Sequence, residues 1–548
     1  MNQLMISTNA PILTAAQMRA VDAATIRDEP IASVDLMERA ALACVDWLMA
    51  HMPDNTHYRI FCGLGNNGGD GLAITRLLLA RGQTAHAYLI DHSAGNGDSA
   101  MSVDAAINWQ RLQTLITQTL ITQTLTPQQN TAIERIQHID DLPDPCAFTE
   151  GDCLIDALLG TGTTRAAEGL LAQLIERLNA YQASQLIAID LPSGLLGDAH
   201  TPANWPVIHA THTLTFECVK PALLWPENGE RVGDWQILPI GLSQHAIAAQ
   251  RSMMQLVTAD WAQRMNTQRT ARNKFAHKGT FGHALLIAGA HGTIGAAILA
   301  ARACLRSGVG LLTVRSPNCG YTSLQTAVPE AMVQADKNER VWSETIDGVM
   351  LNGTTYDALG VGCGIGQSAE TRHALRTLLH SLAKQPKPLV LDADALNILA
   401  SEPDLFESLP ANTVLTPHPK EFERLVAHLA LDTATDERRL RAQLILAQKY
   451  RVIIVLKGAH TCTALPDGRS FYNSSGNAGM AKGGSGDALT GVILALLAQG
   501  HAPETAAILG VYLHGAAGDA AACKFGQTAM LPSDLIECLG SKSLNIKL

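Results

Sequence analysis

The residues best suited to chemistry lie in a glycine-rich stretch near the carboxyl end of the chain. It runs from Asn473 to Gly491, reads NSSGNAGMAKGGSGDALTG, and follows a predicted strand at Arg469–Tyr472. Six of its nineteen residues are glycines, which cost backbone entropy but let backbone N–H groups approach a guest closely. The stretch leads into an apolar helical pattern, and a helix start has unpaired N–H groups and a partial positive charge. This arrangement predicts a site for an anion, typically a phosphate.

Asp487 lies at the start of the predicted helix. A carboxylate there would repel a bound phosphate, so its position needs a chemical reason. One reason is to accept the proton of a substrate hydroxyl while that hydroxyl attacks a phosphoryl group. The competing interpretation is a glycine-rich turn in which Asp487 merely caps the helix. The GSGD motif alone fits both interpretations equally well.

Length and composition argue against several classes of protein. With 548 residues, 47% of them hydrophobic, and 45 glycines, the chain suits two large α/β domains or three to four smaller ones. The formal net charge of −10 argues against a nucleic-acid surface. The 11 cysteines lack C-x-x-C spacing, which argues against zinc or disulfide frameworks. Signal-peptide and membrane-spanning patterns are missing, so we expect a cytoplasmic protein without a membrane partner.

The first half alternates helix and strand patterns, which predicts a mainly parallel α/β sheet. The predicted helices are Ala15–Ile26 and Leu36–Met49, and the predicted strands are Tyr58–Cys62, Ala85–Ile90, Cys153–Ala157, Leu186–Ile189 and Thr213–Phe216.

Polar side chains follow three of these strands, where open α/β sheets bind ligands in a shared crevice. Amide and carbonyl oxygens with a single carboxylate suit a large, weakly charged cation better than Mg²⁺ or Zn²⁺. The residues are Asn66, Asn67 and Asp70 in a glycine-rich turn, Asp156 before a second glycine-rich loop, and Asp190 before Leu191-Pro192-Ser193-Gly194.

The second half alternates again, and the weak pattern between Leu242 and Gln268 predicts a domain junction there. We therefore expect domains at residues 1–242 and 255–548, the second being another doubly wound α/β domain. Its predicted strands are His283–Ala288, Gly310–Arg315, Ala358–Val361, Leu389–Asp392, Thr413–Thr416 and Val452–Lys457, and its helices are Gly295–Ser307, Ser368–Leu382, Asp436–Lys449 and Pro503–Phe525.

Two further patterns predict no chemistry of their own. Residues 113–126 form an imperfect five-residue repeat, QTLITQTLITQTLT, which predicts a loop or a helix extension without a functional role. A basic run at Arg264, Arg269, Arg272, Lys274 and Lys278 predicts a solvated face, with contact to nearby phosphates as the alternative.

Several motifs together resemble a known family. GGSGD with its small-residue helix resembles the anion hole and catalytic aspartate of ribokinase-like enzymes. Residues 277–282 (HKGTFG), 390–397 (VLDADALN), 416–421 (TPHPKE) and 457–461 (KGAHT) are similar to the ADP/ATP-dependent dehydratase that repairs hydrated NAD(P)H. The LMERA, GNNGGDG, DALLGTG and DLPSG motifs of the first half, together with Thr215-Phe216 through Lys220-Pro221, resemble a Rossmann-like epimerase of the same damaged cofactor. The whole chain resembles the bifunctional NAD(P)H-hydrate repair enzymes.

For the first domain, the resemblance implies K⁺ on Asn67, Asp156 and Ser193. Asp156 could also assist proton movement as a catalytic residue. Strand-end caps in an inactive domain are the alternative, and Thr163-Thr164 departs from the apolar residue common in the family. The implied substrate-binding residues are Asn66, Asn67, Gly68, Gly69, Asp70, Gly160, Thr161, Gly162, Thr163, Thr164, Arg165, Ala166 and Asp190.

For the second domain, the resemblance implies that Asp487 is catalytic and contacts the substrate. Lys482 stands where the family has a small residue, and either contact with phosphates or an outward position is open. The implied substrate residues are Ala296, Gly364, Gly366, His418 and Asp487, and those for ADP or ATP are Lys457, Gly458, Ala459, His460, Thr461, Gly483, Gly484 and Gly486. Asp392, Asp394 and Asn397 are expected to hold phosphate-bound Mg²⁺ through water, although Asp392 could equally be a strand-end cap.

The implied function is epimerisation of R- and S-NAD(P)HX, followed by ADP- or ATP-dependent dehydration of the S form, with AMP and phosphate released from ADP. The expected partner is this small molecule, in a homo-oligomeric enzyme. Two alternatives remain at this point. A small-molecule kinase of the ribokinase class would explain GGSGD but not the first half, and a dinucleotide sensor would bind without turnover.

Overall fold

The computed structural model describes residues 10–91, 101–121, 133–142, 148–149, 151–181, 185–267, 274–344, 350–351 and 354–540. Two compact units have Pro11–Ser252 and Met253–Leu548 as their main spans. The first unit extends beyond the predicted limit at residue 242 because Ala246 and Ile247 are buried in its hydrophobic core.

The first unit has seven strands and seven helices among its described residues, and a two-residue strand at Ala10–Pro11 precedes them. In chain order they are α1 (Ala15–Asp28), α2 (Ser33–His51), β1 (His57–Cys62), α3 (Asn66–Ala80), β2 (Thr84–Ile90), α4 (Val103–Ile121), β3 (Ile133–Ile136), β4 (Asp152–Ala157), α5 (Gly169–Ala180), β5 (Gln185–Ile189), β6 (His212–Phe216), α6 (Gly229–Val232), β7 (Asp234–Leu238) and α7 (Gln244–Ala249).

The seven strands form one sheet in the order β3-β2-β1-β4-β5-β6-β7, and every pair is parallel. All residues of β4 are buried, as expected for a strand covered on both faces. The strand order reverses between β1 and β4, where doubly wound sheets open a crevice for ligands. Phe61 of β1 pairs with Asp156 of β4, so Asp156 lies at this crevice.

The glycine-rich turn predicted after β1 is shorter than expected. Helix α3 already begins at Asn66, so Asn67 and Asp70 lie on its first turns rather than in a loop. A Cβ on Gly68 would lie 1.8 Å from the carbonyl oxygen of Gly63. Only glycine lets the helix start this close to the end of β1. The glycines of this motif therefore allow close packing of α3 and do not indicate a longer turn.

The second unit has elements that the sequence patterns predicted and several short strands that they missed. In chain order they are β8 (Met254–Val257), α8 (Ala259–Thr267), β9 (His283–Ile287), α9 (Ile294–Arg306), β10 (Leu311–Ser316), α10 (Tyr321–Ala327), β11 (Met332–Ala335), β12 (Met350–Leu351), β13 (Thr354–Thr355), β14 (Ala358–Val361), α11 (Ala369–Lys384), β15 (Leu389–Leu391), α12 (Asp394–Ser401), β16 (Val414–Leu415), α13 (Pro419–Val426), α14 (Asp436–Tyr450), β17 (Ile453–Leu456), β18 (Cys462–Ala464), β19 (Ser470–Asn473), α15 (Ser485–Ala498), α16 (Pro503–Phe525) and α17 (Pro532–Cys538).

The ten described strands that residues 253–548 contribute to its main sheet run in the order β8-β19-β18-β17-β16-β15-β14-β9-β10-β11. The strands are parallel except at β18, which pairs antiparallel with β17 and β19. Buried side chains form one core cluster on each face. This doubly wound arrangement confirms the predicted α/β fold class for the second unit, as the parallel sheet does for the first.

Helix α15 lies in the middle of this core. Every residue from Ala488 to Ala498 is buried, whereas the first turn reaches the surface. A Cβ on Gly491 would lie 2.1 Å from the carbonyl oxygen of Ala300, so this glycine lets α15 pack backbone to backbone on α9. The packing fixes the direction of the α15 amino terminus.

The structure describes only parts of the five-residue repeat and of the basic run. The repeat at 113–126 continues α4 as far as Ile121, and residues 122–126 lie outside the described residues, as do Arg269 and Arg272 of the basic run. Among the described helices, Pro503–Phe525 alone is long and apolar enough to cross a membrane. Because 78% of its most apolar window is buried inside the unit, it has the character of a core helix.

Candidate active sites

The carboxylate of Asp156 is fully buried at the crevice of the first unit. Its Oδ1 accepts from Ser193 Oγ at 2.5 Å and from the Leu158 amide at 3.2 Å, and its Oδ2 accepts from the Ser193 amide at 2.8 Å. Burial raises the pKa of Asp156 to about 6, although these hydrogen bonds oppose the shift. Asp156 and Ser193, predicted from separate motifs, therefore form one hydrogen-bonded group.

Asn67 joins the same group from the start of α3. Its Nδ2 donates to the Leu159 carbonyl at 2.9 Å, and a Cβ on Gly160 would lie 3.3 Å from the Asn67 Cβ. The Asn67 Oδ1 is buried without a hydrogen-bond partner. Ser193 Oγ also lies within hydrogen-bond distance of the Leu159 carbonyl, at 3.1 Å, which links Asn67 to the Asp156 group. Since buried polar atoms are normally paired, the orphaned oxygen fits a bound cation. The donor set of amide, hydroxyl and carboxylate oxygens suits K⁺.

A cleft of about 330 Å³ opens in the same unit. Four residues expected at the substrate site line it, namely Asn66, Asp70, Thr161 and Asp190. The remaining residues of the second glycine-rich loop lie outside this lining. Thr163 folds back on Gly160, donating from both its amide and its hydroxyl to that carbonyl.

Asp190 is tied to a buried lysine at the edge of this cleft. Lys220 is 1% exposed, and its Nζ lies 2.6 Å from Asp190 Oδ1 and 2.8 Å from Thr215 Oγ1. Asp190 has a φ of +67°, a conformation that is uncommon outside glycine and is held here by its surroundings. Lys220 is a residue to which the sequence motifs gave no role.

Sequence reasoning missed two carboxylates of the cleft, Asp22 on α1 and Asp104 on α4. Burial raises the pKa of Asp22 to about 6, with a further contribution from the negative charge of Asp190 and an opposing one from Lys220. Asp22 lies four residues after Met18 and four before Ile26, which also line the cleft. This helical spacing was the available signal.

In the second unit, the glycine-rich stretch leads directly into the amino terminus of α15. Gly484 has a φ of +102° and precedes the helix, and Gly483, Ser485 and Gly486 are not fully buried. Ser485 Oγ donates to the Met480 carbonyl at 2.7 Å, which closes the turn on itself. Free backbone N–H groups at the start of a fourteen-residue helix form a site for an anion.

Asp487 lies on the first turn of α15 above a buried ion pair. Lys457 Nζ is 2.9 Å from Asp392 Oδ1, and Thr490 Oγ1 donates to Asp392 Oδ2 at 2.8 Å. Burial raises the pKa of Asp487 to about 6, assisted by the negative charge of Asp392 and opposed by the Cys363 thiol and by Lys457. A carboxylate poised near neutrality next to an anion site can accept a proton.

The loop after β17 reaches the glycine-rich stretch. Asn473 donates its amide to the Thr461 carbonyl at 3.0 Å, and His460 Nδ1 lies 3.2 Å from the Asn473 carbonyl. Gly458 and Ala459 are exposed in the same tight turn. A Cβ on Gly486 would lie 3.3 Å from Lys457 Nζ. Thus the two segments expected at the adenine nucleotide adjoin each other.

Lys482 joins the glycine-rich stretch to the segment before α17. Its Nζ donates to the carbonyl oxygens of Thr528 at 2.7 Å and Met530 at 2.6 Å. These contacts are made to the protein rather than to solvent, and the alternative of contact with phosphates stays a prediction.

The residues expected at the hydrated nicotinamide form two smaller groups. Thr293 Oγ1 donates to the Gly364 carbonyl at 2.7 Å, which places Gly364 beside the start of α9 and Ala296. The Gly366 amide donates to Asp394 Oδ2 at 2.9 Å. His418 caps α13, where its Nδ1 accepts from the Lys420 amide at 3.2 Å. Its ring is half exposed, and the expected contact with the substrate stays a prediction.

The three side chains expected around Mg²⁺ are already engaged with protein groups. Asp392 is 1% exposed and holds Lys457 and Thr490, Asp394 holds Gly366, and Asn397 Oδ1 accepts from Arg424 Nη1. Within the described ranges, no group of three or more His, Cys, Asp or Glu is placed to hold a metal. These contacts argue against direct coordination of Mg²⁺ by the three side chains, and contact with phosphate-bound Mg²⁺ through water stays a prediction.

Comparison with known proteins decides the family. A family model described as YjeF-related protein N-terminus matches residues 33–222, and one described as NAD(P)H-hydrate dehydratase matches residues 284–540. The bifunctional NAD(P)H-hydrate repair enzyme of Moorella thermoacetica is 35% identical over 534 residues, which are 96% of each chain. The chain belongs to the bifunctional NAD(P)H-hydrate repair enzymes.

Two more repair-enzyme matches cover different parts of the chain. The bifunctional repair enzyme of Escherichia coli is 34% identical over 92% of this chain and 88% of its own. The crystal structure of the ADP/ATP-dependent NAD(P)H-hydrate dehydratase of Bacillus subtilis, co-crystallised with ATP and Mg²⁺, is 31% identical. It covers 52% of this chain and 95% of its own, with a TM-score of 0.44.

Proposed function

We propose that this repair enzyme restores hydrated NADH and NADPH in two steps. The first unit interconverts the R and S epimers of NAD(P)HX, and the second unit dehydrates the S epimer with ADP or ATP as the phosphoryl donor. Full-length similarity to bifunctional relatives supports the pairing of the two activities. The observation that carries the proposal is Asp487 at the open amino terminus of α15.

The dehydration follows from the geometry around α15. The hydroxyl on ring carbon 6 of the hydrated nicotinamide is a poor leaving group. Asp487 accepts its proton as the oxygen attacks the terminal phosphoryl group, and the amides of Gly483, Gly484 and Gly486 stabilise the charge that develops on that group. The ring nitrogen then expels the phosphate, which leaves an iminium ion at carbon 6. Loss of a proton from carbon 5 to solvent forms the double bond between carbons 5 and 6 and restores the dihydropyridine ring.

The buried pair beneath Asp487 supports this role. Burial, assisted by the negative charge of Asp392, raises the pKa of Asp487, so Asp487 is a stronger base than an exposed carboxylate. The positive charge of Lys457 offsets that of Asp392 and keeps the pair from repelling the nucleotide. We expect Mg²⁺ to arrive with the phosphates of the nucleotide. Release of AMP from ADP, and the choice between ADP and ATP, belong to this same proposal.

In the first unit, Asn67, Asp156 and Ser193 would hold K⁺. The bound ion would supply a positive charge beside the substrate cleft. The protein residues themselves shape the site, because Ser193 orients the Asp156 carboxylate and Asn67 fixes the Leu159 carbonyl. Asp190, paired with Lys220, and Asn66 to Asp70 on α3 would contact the dinucleotide.

The test is recovery of the near-ultraviolet absorbance of the dihydronicotinamide ring from a mixture of both NADHX epimers with Mg²⁺, K⁺ and either ADP or ATP. We expect complete recovery in a fast phase for the S epimer and a slow phase for the R epimer. An Asp156→Ala variant should lose the slow phase only. If neither nucleotide restores any absorbance, the repair function is wrong, and kinase activity on small alcohols becomes the function to test.

A further inference from the structure

The substrate cleft of the first unit contains four carboxylates, contributed by Asp22, Asp70, Asp104 and Asp190. Epimerisation at a carbon that bears a hydroxyl and a ring nitrogen needs a group that accepts a proton and another that donates one. The expectations drawn from sequence motifs gave Asp22 no role. Its position in the cleft places it among the carboxylates that can exchange a proton with a bound substrate.

Three carboxylates of this unit already bind other protein side chains. Asp190 is paired with Lys220, whose Nζ lies 2.6 Å from Asp190 Oδ1. Asp156 is fully buried, does not line the cleft, and is bound by Ser193. Asp104 accepts a hydrogen bond from Ser33 Oγ at 2.6 Å. Asp22 and Asp70 remain, on α1 and α3.

The charges that face Asp22 come from several elements. Arg19 shares α1 with it, Asp70 and Asp104 face it from α3 and α4, and Asp190 and Lys220 lie after β5 and β6. The Cys218 thiol is also within reach of its charge.

Burial is the main cause that raises the pKa of Asp22 to about 6, and burial with three neighbouring carboxylates raises the pKa of Asp70 well above its usual range. Near neutral pH Asp22 is mostly ionised, and Asp70 keeps its proton to a higher pH than an ordinary carboxyl group does. Two carboxyl groups in one cleft whose pKa values are both raised toward neutrality can serve as base and acid.

We propose that Asp22 and Asp70 are the acid–base pair of the epimerisation, an inference that rests on the proposed function of this unit. The Asp22 carboxylate takes the proton of the hydroxyl on ring carbon 6. The bond from carbon 6 to the ring nitrogen breaks, its electron pair goes to that nitrogen, and the Asp70 carboxyl group gives its proton there. The product is an open aldehyde with the same atoms.

Rotation about the bond between carbons 5 and 6 then exposes the other face of the aldehyde. The nitrogen attacks this face and returns its proton to Asp70, while Asp22 returns its proton to the oxygen. No oxidant, reductant or water enters the step. The hydrogen on carbon 6 and the oxygen of the hydroxyl therefore stay on the substrate.

The experiment uses the full-length protein with NADHX enriched in the R epimer, separated chromatographically, and the uncatalysed rate subtracted. We expect Asp22→Asn to slow epimerisation at least about 100-fold. Asp28→Asn, an exposed carboxylate on the same helix, should leave the rate unchanged. Dehydration of the S epimer should be unaffected in both variants, because the residues proposed for it all lie in the second unit.

A structural role for Asp22 is distinguished by the pH profile and by stability. The wild-type epimerisation rate should fall as pH decreases through about 6, and the residual rate of Asp22→Asn should lack this limb. Because a desolvated carboxylate is replaced, the thermal midpoint of Asp22→Asn should be equal to or above that of the wild type. Asp22→Glu should recover part of the rate.

The outcomes separate the inference from the function on which it rests. Absence of epimerisation by the wild type would reject the proposed function itself. Full activity of Asp22→Asn, or equal loss of both activities with a lowered thermal midpoint, would overturn only the acid–base pair. Epimerisation in oxygen-18 water should leave the label out of the product during a single turnover, and incorporation at the rate of epimerisation would overturn the ring-opening step.

Discussion

The carboxylate of Asp519, on α16, holds the glycine-rich stretch through Gly476, whose backbone amide donates to Asp519 Oδ2 at 2.9 Å. Asn477 Nδ2 donates to the other oxygen at 2.8 Å. A Cβ on Gly515, one turn earlier on α16, would lie 2.3 Å from Ser475 Oγ. Helix α16 therefore determines where the stretch runs between β19 and the anion site.

We expect Asp519→Ala to loosen this stretch. Each hydrogen bond to a charged group contributes about 1.5–3 kcal/mol, so the variant should lose at least about 2 kcal/mol of unfolding free energy. Its KM for the nucleotide should rise about tenfold, with a smaller fall in kcat. Asp519→Asn keeps an acceptor for the Gly476 amide and should lose less. An unchanged nucleotide KM in Asp519→Ala would contradict a positioning role.

Replacement of Asp487 by Asn should remove dehydration and leave binding. The variant keeps the size of the side chain but cannot accept the hydroxyl proton, so we expect kcat to fall at least about 100-fold. Nucleotide affinity, measured by calorimetry, should change little or increase, because a negative charge is removed beside the phosphates. Epimerisation by the same protein is the internal control. Dehydration at a normal rate would contradict the assignment of Asp487 as the base.

The α/β architecture could be predicted because its signals are local. Strands such as Tyr58–Cys62 and Ala358–Val361 are short, mainly apolar runs, each followed by a glycine, and the structure confirms them within one residue. The antiparallel strand Cys462–Ala464 and the edge strand Met332–Ala335 were missed. Each has only three or four residues, too few for a periodic pattern, and pairing with neighbours defines them.

The candidate site residues were predictable where they lie in glycine-rich motifs or at the ends of predicted strands. Asn67, Asp156 and Ser193 are brought together by the parallel sheet, as expected from three separate motifs. Asp22 and Asp519 could not be found in this way. Both lie within helices, and only the packing of those helices brings their carboxylates to a cleft or a loop.

Potassium should stabilise the folded first unit, because a ligand that binds only the native state adds RT ln(1 + [L]/Kd) to the unfolding free energy. At 100 times the Kd this is about 2.7 kcal/mol. We expect a higher thermal midpoint in KCl than in tetramethylammonium chloride at equal ionic strength. Asn67→Ala removes the orphaned Oδ1 and should abolish this difference. An equal salt response in both proteins would contradict a site at Asn67.

Gly491 on α15 and Gly295 on α9 provide a test position and a control position for the packing of these two helices. Gly491→Ala places a Cβ 2.1 Å from the Ala300 carbonyl, so the helices must separate, at a cost of about 1–3 kcal/mol. A Cβ on Gly295 would meet nothing within 4 Å, and Gly295→Ala should raise stability by up to about 1 kcal/mol through helix propensity. Urea unfolding of the two variants checks both signs. Equal effects would contradict the close contact.

His86 should make the first unit sensitive to acid. The residue is 8% exposed, and burial, assisted by the charge of Arg59, lowers the pKa of His86 from 6.5 to about 4. Glu134, 3.3 Å from its Nε2, does not offset this burial. Because the unfolded chain takes up the proton more readily, the stabilising contribution is fully present above pH 6.5 and is lost as pH falls from 6.5 to about 4.

The loss amounts to at most about 3 kcal/mol, from about 1.36 kcal/mol for each pKa unit. His86→Phe keeps an aromatic ring against Tyr88, whose ring centroid is 4.4 Å away, and cannot be protonated. We therefore expect the unfolding free energy of the wild type to fall relative to that of His86→Phe over this pH range. Urea titrations at matched pH values measure the difference, in which the other titrating groups cancel. Parallel curves would show that His86 is not neutral in the folded protein.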